Sequence, residues 1–166
     1  MLLLISDANI LMDIEVGDLV APMFSLGCQF AVPDLLYVEE LEGDYTYMCA
    51  LGLQVRPLAP RIVERVLQLS QTHHRTGTGR NDLSALALAE AEQCPLLTGD
   101  AALRRAAQVE RVPVKGTLWL IEQMVVEGRI SVGVARAALQ KMRDSNRRLP
   151  WDAAEQMLAR MEHAQG

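Results

Sequence analysis

Five short apolar runs, Leu2 to Ile5, Gln29 to Val32, Leu53 to Leu58, Pro95 to Thr98 and Val112 to Val114, are separated mostly by longer stretches with helical periodicity. This alternation constrains the chain more than any other feature. Short apolar strands need partners on both edges and cover on both faces, and helical crossovers supply the cover while letting the strands run parallel. The expected fold class is therefore α/β, a three-layer α/β/α arrangement around a central parallel sheet of about five strands.

The helical stretches can be bounded from their ends. Arg61 to Ser70 places Ile62, Val63, Val66, Leu67 and Leu69 on about one face and stops before the loop-like HHRTGTGR. Asp82 opens an alanine- and leucine-rich helix through Glu92, and Asp100 opens another through about Gln108, each at a position suited to N-capping. Thr117, after Gly116, suits the start of TLWLIEQMVVEG, and Ser131 suits the start of the helix after it. Beyond Leu149-Pro150, WDAAEQMLARM reads as a final short helix. No repeat, low-complexity tract or long linker divides the chain, so a single domain over residues 1–166 is expected.

Composition narrows the class. The chain has 166 residues, half of them apolar, which excludes a disordered chain and permits a real core. The opening MLLLI is too short for a signal h-region and has no basic residues before it, and no apolar run approaches the roughly 20 residues of a membrane span. A cytoplasmic protein is expected. Cys28, Cys49 and Cys94 are scattered and lack C-x-x-C spacing, so they read as reduced, buried thiols and not as a disulfide framework or a zinc site. Residues 1–60 hold nine acids and one base, Arg56, a net −8, while residues 61–166 hold twelve acids and fifteen bases, a net +3. An acidic first half suits a carboxylate cation site, and an arginine-rich second half suits phosphate contacts, although a solvated charged surface gives the same asymmetry.

Acids stand where the strands end. Asp7 follows LLLIS, Asp100 follows CPLLTG, and Glu40 and Asp82 lie in LLYVEEL and GRNDLSALALAE. The carboxyl ends of parallel strands are where ligands bind in an open α/β sheet, so acids distant in sequence can converge there. A site of four carboxylates suits a hard cation such as Mg²⁺ or Mn²⁺, and such ions activate water for attack on phosphate esters. Taken singly, Asp82 and Asp100 also read as helix caps, and Glu39 and Glu40 as a solvated helix face. Asp7 follows an apolar run at the edge of the core, where an unpaired charge is costly and a cation compensates.

With SDANILMDI, VPDLLYVEEL, DLSALALAE and LLTGDAALR in that order, the chain resembles the PIN-domain superfamily over about residues 1–120. Residues 121–166 then form a helical C-terminal extension. The resemblance implies a parallel sheet that gathers acids at a site for one or two Mg²⁺ or Mn²⁺ ions and hydrolyses RNA. It makes the protein a metal-dependent endoribonuclease, akin to the VapC-like toxins of toxin–antitoxin pairs or to a related PIN nuclease. It further implies an RNA substrate, a homodimer and, for a toxin, a small antitoxin partner. By the same resemblance Asp7, Glu40, Asp82 and Asp100 are metal ligands and catalytic, with Glu39 adjacent to Glu40 as the alternative, and Asn9 and Thr98 support them. Relatives often carry a further acid where this chain has Gly99.

Arg104, Arg105, Arg147 and Arg148 are candidates for RNA contact, Arg104 and Arg105 lying just past Asp100. His73 and His74, in THHRTGTGR, read as loop histidines, and Trp119 and Trp151 as core or dimer packing. A haloacid-dehalogenase-like phosphatase would require D-x-D where the chain has Asp7-Ala8-Asn9, and a second acid soon after Asp100. A non-catalytic PIN scaffold is the alternative from a different class.

Overall fold

The computed structural model describes residues 1–165. Its strands are β1 (Leu2–Ser6), β2 (Cys28–Pro33), β3 (Gln54–Arg56), β4 (Leu96–Leu97) and β5 (Val114–Lys115). They form one five-stranded sheet in the order β3-β2-β1-β4-β5, with every pairing parallel. The central strand is apolar but for Ser6, as suits a strand covered on both faces. Its Leu4 and Ile5 are fully buried, as are Leu96 and Leu97 of β4.

The helices are α1 (Ala8–Val16), α2 (Val20–Phe24), α3 (Asp34–Leu36), α4 (Tyr47–Leu51), α5 (Pro60–Thr72), α6 (Arg80–Glu92), α7 (Ala101–Val109), α8 (Thr117–Val126), α9 (Val132–Asp144) and α10 (Trp151–Gln165). The chain steps from β1 to β2 to β3 in one direction, then returns past β1 to β4 and β5. Right-handed crossovers therefore put the helices before β3 on one face and α5 to α7 on the other. Helix α6 lies along β1, β2 and β4 with α5 and α7 beside it, while α1 packs with α2, α8 and α9. Leu83 to Ala89 of α6 are all buried, because this helix is covered by the sheet on one side and by helices on the other.

Helix α5 corrects one expectation. Ile62, Val66 and Leu69 are buried, but Val63 and Leu67 are exposed, so its apolar stripe is narrower than the sequence pattern. Two of the expected caps are also corrected. Gly79, not Asp82, is the N-cap of α6, because the helix starts at Arg80; Gly116, not Thr117, precedes α8. Asp100 and Ser131 do cap α7 and α9, accepting from Leu103 N–H at 2.8 Å and Val134 N–H at 3.1 Å. Of the cysteines only Cys94 is buried; Cys28 is half-buried and Cys49 exposed, and all three are free.

The C-terminal helices dock on α1 through a close approach at Gly17. A Cβ there would stand 2.5 Å from Met142 Cε and 3.3 Å from Ala138 Cβ, so even alanine would displace the Met142 methyl and crowd Ala138. No described helix is long and apolar enough to cross a membrane.

Candidate functional site

The order in which strands are added reverses between β1 and β4, and crevices at such switch points hold ligands in open α/β folds. Asp7 leaves β1 on one side of this point, and Thr98, Gly99 and Asp100 leave β4 on the other. The Asp7 backbone N–H donates to Leu97 O at 3.0 Å, locking the two strand ends together. Asp7 also caps α1, its Oδ1 accepting from Ile10 N–H at 2.9 Å.

Thr98 joins the two acids. Its hydroxyl donates to Asp7 Oδ2 at 2.5 Å and accepts from Asp100 N–H at 3.0 Å. Asp7 is 1% exposed, and its carboxyl is pushed up to about 7. Burial is the main cause, opposed by the bonds from Thr98 and Ile10 and reinforced by the charges of Asp82 and Asp13.

Asp82 sits in the first turn of α6, its carboxyl raised to about 6 by burial and then by Asp100 and Glu40, with Gly79 N–H opposing. Glu39 and Glu40 lie on a π-helical turn, Tyr37–Leu41, that continues α3. Glu42 N–H reaches back to Tyr37 O at 2.8 Å, which widens the turn and changes the phase of the side chains after it. Both glutamates accept from Asn81 Nδ2, Glu39 at 2.9 Å and Glu40 at 3.1 Å. Asn81 Oδ1 is buried with no partner. Sequence reasoning passed over Asn81; its place just before Asp82 was the available signal.

Four acids from four elements thus share one end of the sheet, and their charges act on one another. Among the described residues none of the four is ion-paired, and the one base lining the cavity of Glu40 and Asp82 is Arg80. All donors are carboxylate oxygens, the set that a hard divalent cation takes. The side chains are nevertheless arranged apart: no described group of three His, Cys, Asp or Glu residues stands close enough to hold one ion. Each Asp7 oxygen accepts one hydrogen bond, from Ile10 or from Thr98, which orients the carboxylate and leaves a lone pair on each for a cation. In donor type and charge the residues fit the cation.

Asn9 is exposed, and its backbone carbonyl accepts from Arg147 Nη2 at 3.3 Å. Arg147 is chiefly engaged with Asp13, an acid that sequence reasoning did not single out. Arg147 Nε donates to Asp13 Oδ1 at 2.6 Å, and the Thr117 hydroxyl donates to Asp13 Oδ2 at 2.9 Å. The pair ties the α9–α10 turn to α1. Arg147→Ala should destabilise the fold by about 2 kcal/mol, since it leaves a largely buried carboxylate without its cation. A urea midpoint unchanged from wild type would show that the pair contributes nothing.

Arg104, Arg105 and Arg148 are exposed and have no ion-pair partner among the described residues. His73 is buried against Glu110 at 2.8 Å, and Glu110 also accepts from Arg65, which binds Glu90. That network fastens α5 to α6 and to the α7–β5 turn, away from the four acids. His74 contacts Gln71 O at 2.8 Å.

No curated protein matches this sequence. Among solved structures, a chain in the crystal structure of VapBC2 from Rickettsia felis bound to a DNA fragment from their promoter is similar at 14% identity and a TM-score of 0.47. The match covers 70% of this chain and 98% of that one. A family model described as a PIN domain matches residues 3–163, which takes in the sheet, all four acids and the C-terminal helices. The chain belongs to the PIN-domain family.

Proposed function

We propose that this protein is a metal-dependent ribonuclease that hydrolyses RNA phosphodiester bonds, serving as the toxin of a toxin–antitoxin pair or as a related PIN nuclease. The observation that carries this is the mutual repulsion of Asp7, Asp82, Asp100 and Glu40 at the switch point, none of them ion-paired among the described residues. Uncompensated acids are costly, and a bound cation offsets that cost.

Asp7, Glu40, Asp82 and Asp100 would hold one or two Mg²⁺ or Mn²⁺ ions. When bound, such ions activate water for attack on phosphorus and offset charge on the phosphate oxygens. The chain supplies placement. Thr98 ties Asp7 to the Asp100 backbone, and Asn81 gathers Glu39 and Glu40 beside Asp82. Asp82 feels Glu40 but not Glu39 among the charges that raise it, which favours Glu40 as the ligand. The proposal includes a cytoplasmic location, a homodimer and, for a toxin, an antitoxin partner.

The purified protein should cleave RNA in Mn²⁺, lose that activity in EDTA, and lose about 10²-fold or more in Asp100→Asn, the scale of losing one electrostatic group at a reacting phosphate. Equal cleavage by Asp100→Asn would remove the acid from the mechanism. A non-catalytic scaffold is the second reading, favoured by the separation of the acid side chains. In that case the protein binds neither Mn²⁺ nor Mg²⁺.

A further inference from the structure

Three cavities adjoin on the side of the site away from Glu40. The first, about 540 Å³, is lined by Asn9, Gly99, Asp100 and Arg148 among others. The second, about 440 Å³, shares Asp13, Gly99 and Arg148 with the first and extends to Arg104, Trp119 and Pro150. The third, about 510 Å³, shares Arg104, Gly116 and Trp119 with the second and ends at Lys115. Shared walls make them one groove from Asp100 to the Trp119 ring, and each has the volume of a small-ligand site.

The charge of the groove differs from that of the acid site. Around Asp82 the cavity wall is carboxylate-rich, with Glu39 and Glu40 against a single base, Arg80. Past Gly99 the free charges are Arg104, Arg148 and Lys115, all without an ion-pair partner among the described residues. The remaining carboxylate in the second cavity, Asp13, is neutralised by Arg147. Arg104 is folded over the start of α8, its Nη2 standing 4.0 Å from where a Gly116 Cβ would lie. Arg105, one position on, lines none of the three cavities.

Trp119 stands at the junction of the second and third cavities. It is partly buried, which fixes the ring, and Lys115 Nζ lies 5.5 Å from its centroid. Lys115 lines the third cavity and not the second, while Arg104 and the Trp119 ring line both. A fixed aromatic wall beside unpaired cations is what a single-stranded nucleic acid requires: a ring to stack a base on and charges to follow its phosphates.

Resting on the ribonuclease reading, we infer that this groove is the path of single-stranded RNA leaving the acid site, with a base stacked on Trp119 and flanking phosphates on Arg104 and Arg148. The path is one-sided: the substrate makes its specific contacts on the Trp119 flank of the cut, because on the other side Arg80 is outnumbered by Glu39, Glu40 and Asp82. Trp119 is then a positioning residue for substrate that does not touch the reacting bond.

The test is cleavage and binding in Mn²⁺ of single-stranded RNA oligonucleotides cut back stepwise on either flank of a mapped cleavage site, with wild type, Trp119→Phe, Trp119→Leu and Arg104→Ala. The expected result is that Trp119→Leu raises KM about 10-fold or more with kcat little changed, the scale of one lost base stack. Trp119→Phe retains most of the affinity, and substrates cut back on one particular flank no longer distinguish Trp119→Leu from wild type. Arg104→Ala weakens binding and flattens its dependence on salt. Wild-type cleavage with a KM indifferent to Trp119→Leu at every length, or a penalty that persists on the shortest substrates cut back on both flanks, overturns the groove and leaves the ribonuclease reading standing. A folded wild type that neither binds nor cuts RNA in Mn²⁺ overturns both.

Discussion

Asp7→Asn is expected to lower RNA cleavage by about 10²-fold or more and, at the same time, to raise the melting temperature of the metal-free protein at about pH 8. The two signs have one origin. Asp7 is almost wholly buried, its carboxyl is pushed up to about 7, and its partners are a hydroxyl and a backbone N–H, neither of them a cation. At neutral pH and above, the ionised form costs the fold roughly 4 kcal/mol. The amide keeps the cap, since its oxygen still accepts from Ile10 N–H, and its NH₂ replaces the contact to Thr98 without a charge. For a domain of this size the gain corresponds to about 10 °C. A residue retained only for packing would lose stability on substitution. Loss of both cleavage and stability in Asp7→Asn would therefore contradict the account of this side chain.

A second large effect concerns pH and metal together. The Asp7 carboxyl ordinarily titrates at 3.8 and in the fold at about 7, so between these values the folded chain holds a proton that the unfolded chain has lost. Stability must then fall as pH rises across that window, with the favourable contribution complete below about 4 and gone above about 7. Asp82, raised to about 6, acts in the same direction over the lower part of the window, and more weakly because solvent reaches it. Between about pH 5 and pH 8 the metal-free protein should lose several degrees of melting temperature. Mn²⁺ binds only the ionised acids, so it should restore those degrees at about pH 8 and change little near pH 5. A melting temperature that is flat with pH, or a Mn²⁺ shift equal at both pH values, would show that these carboxyls are not the ones the metal meets. In Asp7→Asn most of the pH slope should disappear.

Much of this architecture follows from local pattern. The apolar runs at Leu2 and Gln29 become strands with nearly the expected bounds because strands of that composition are buried wherever they pair. The run at Leu53 shortens to Gln54–Arg56 because only three of its residues pair with β2 at the edge of the sheet. The Asp82 cap was misplaced for a local reason. Gly79 takes the extended backbone that a helix start needs, with φ −75° and ψ 166°, so α6 begins before the acid. The π-helical turn at Tyr37 shifts the phase of Glu39 and Glu40 and leaves no mark in residue spacing.

The partners of the site are a different matter. The Asp13–Arg147 pair joins positions 134 residues apart, and no periodicity links them. His73 looked like a loop residue because its partner, Glu110, reaches it only when α5 and α7 are packed on the same face. Trp119 was read as packing, and half of it is; its other role depends on cavities made by β4, α7, α8 and the α9–α10 turn together. Acids at strand ends announce themselves in a sequence because their chemistry conflicts with their apolar surroundings. Groove walls do not, since an arginine on a helix face is ordinary until the opposite wall is known.

The most direct test of the central claim is a map of new RNA 5′ ends across a transcriptome after induced expression of the wild type and of Asp7→Asn at matched soluble levels. The account predicts discrete ends that appear with the wild type and are absent with the variant. New ends produced equally by both proteins, or by neither although both are folded, would contradict it.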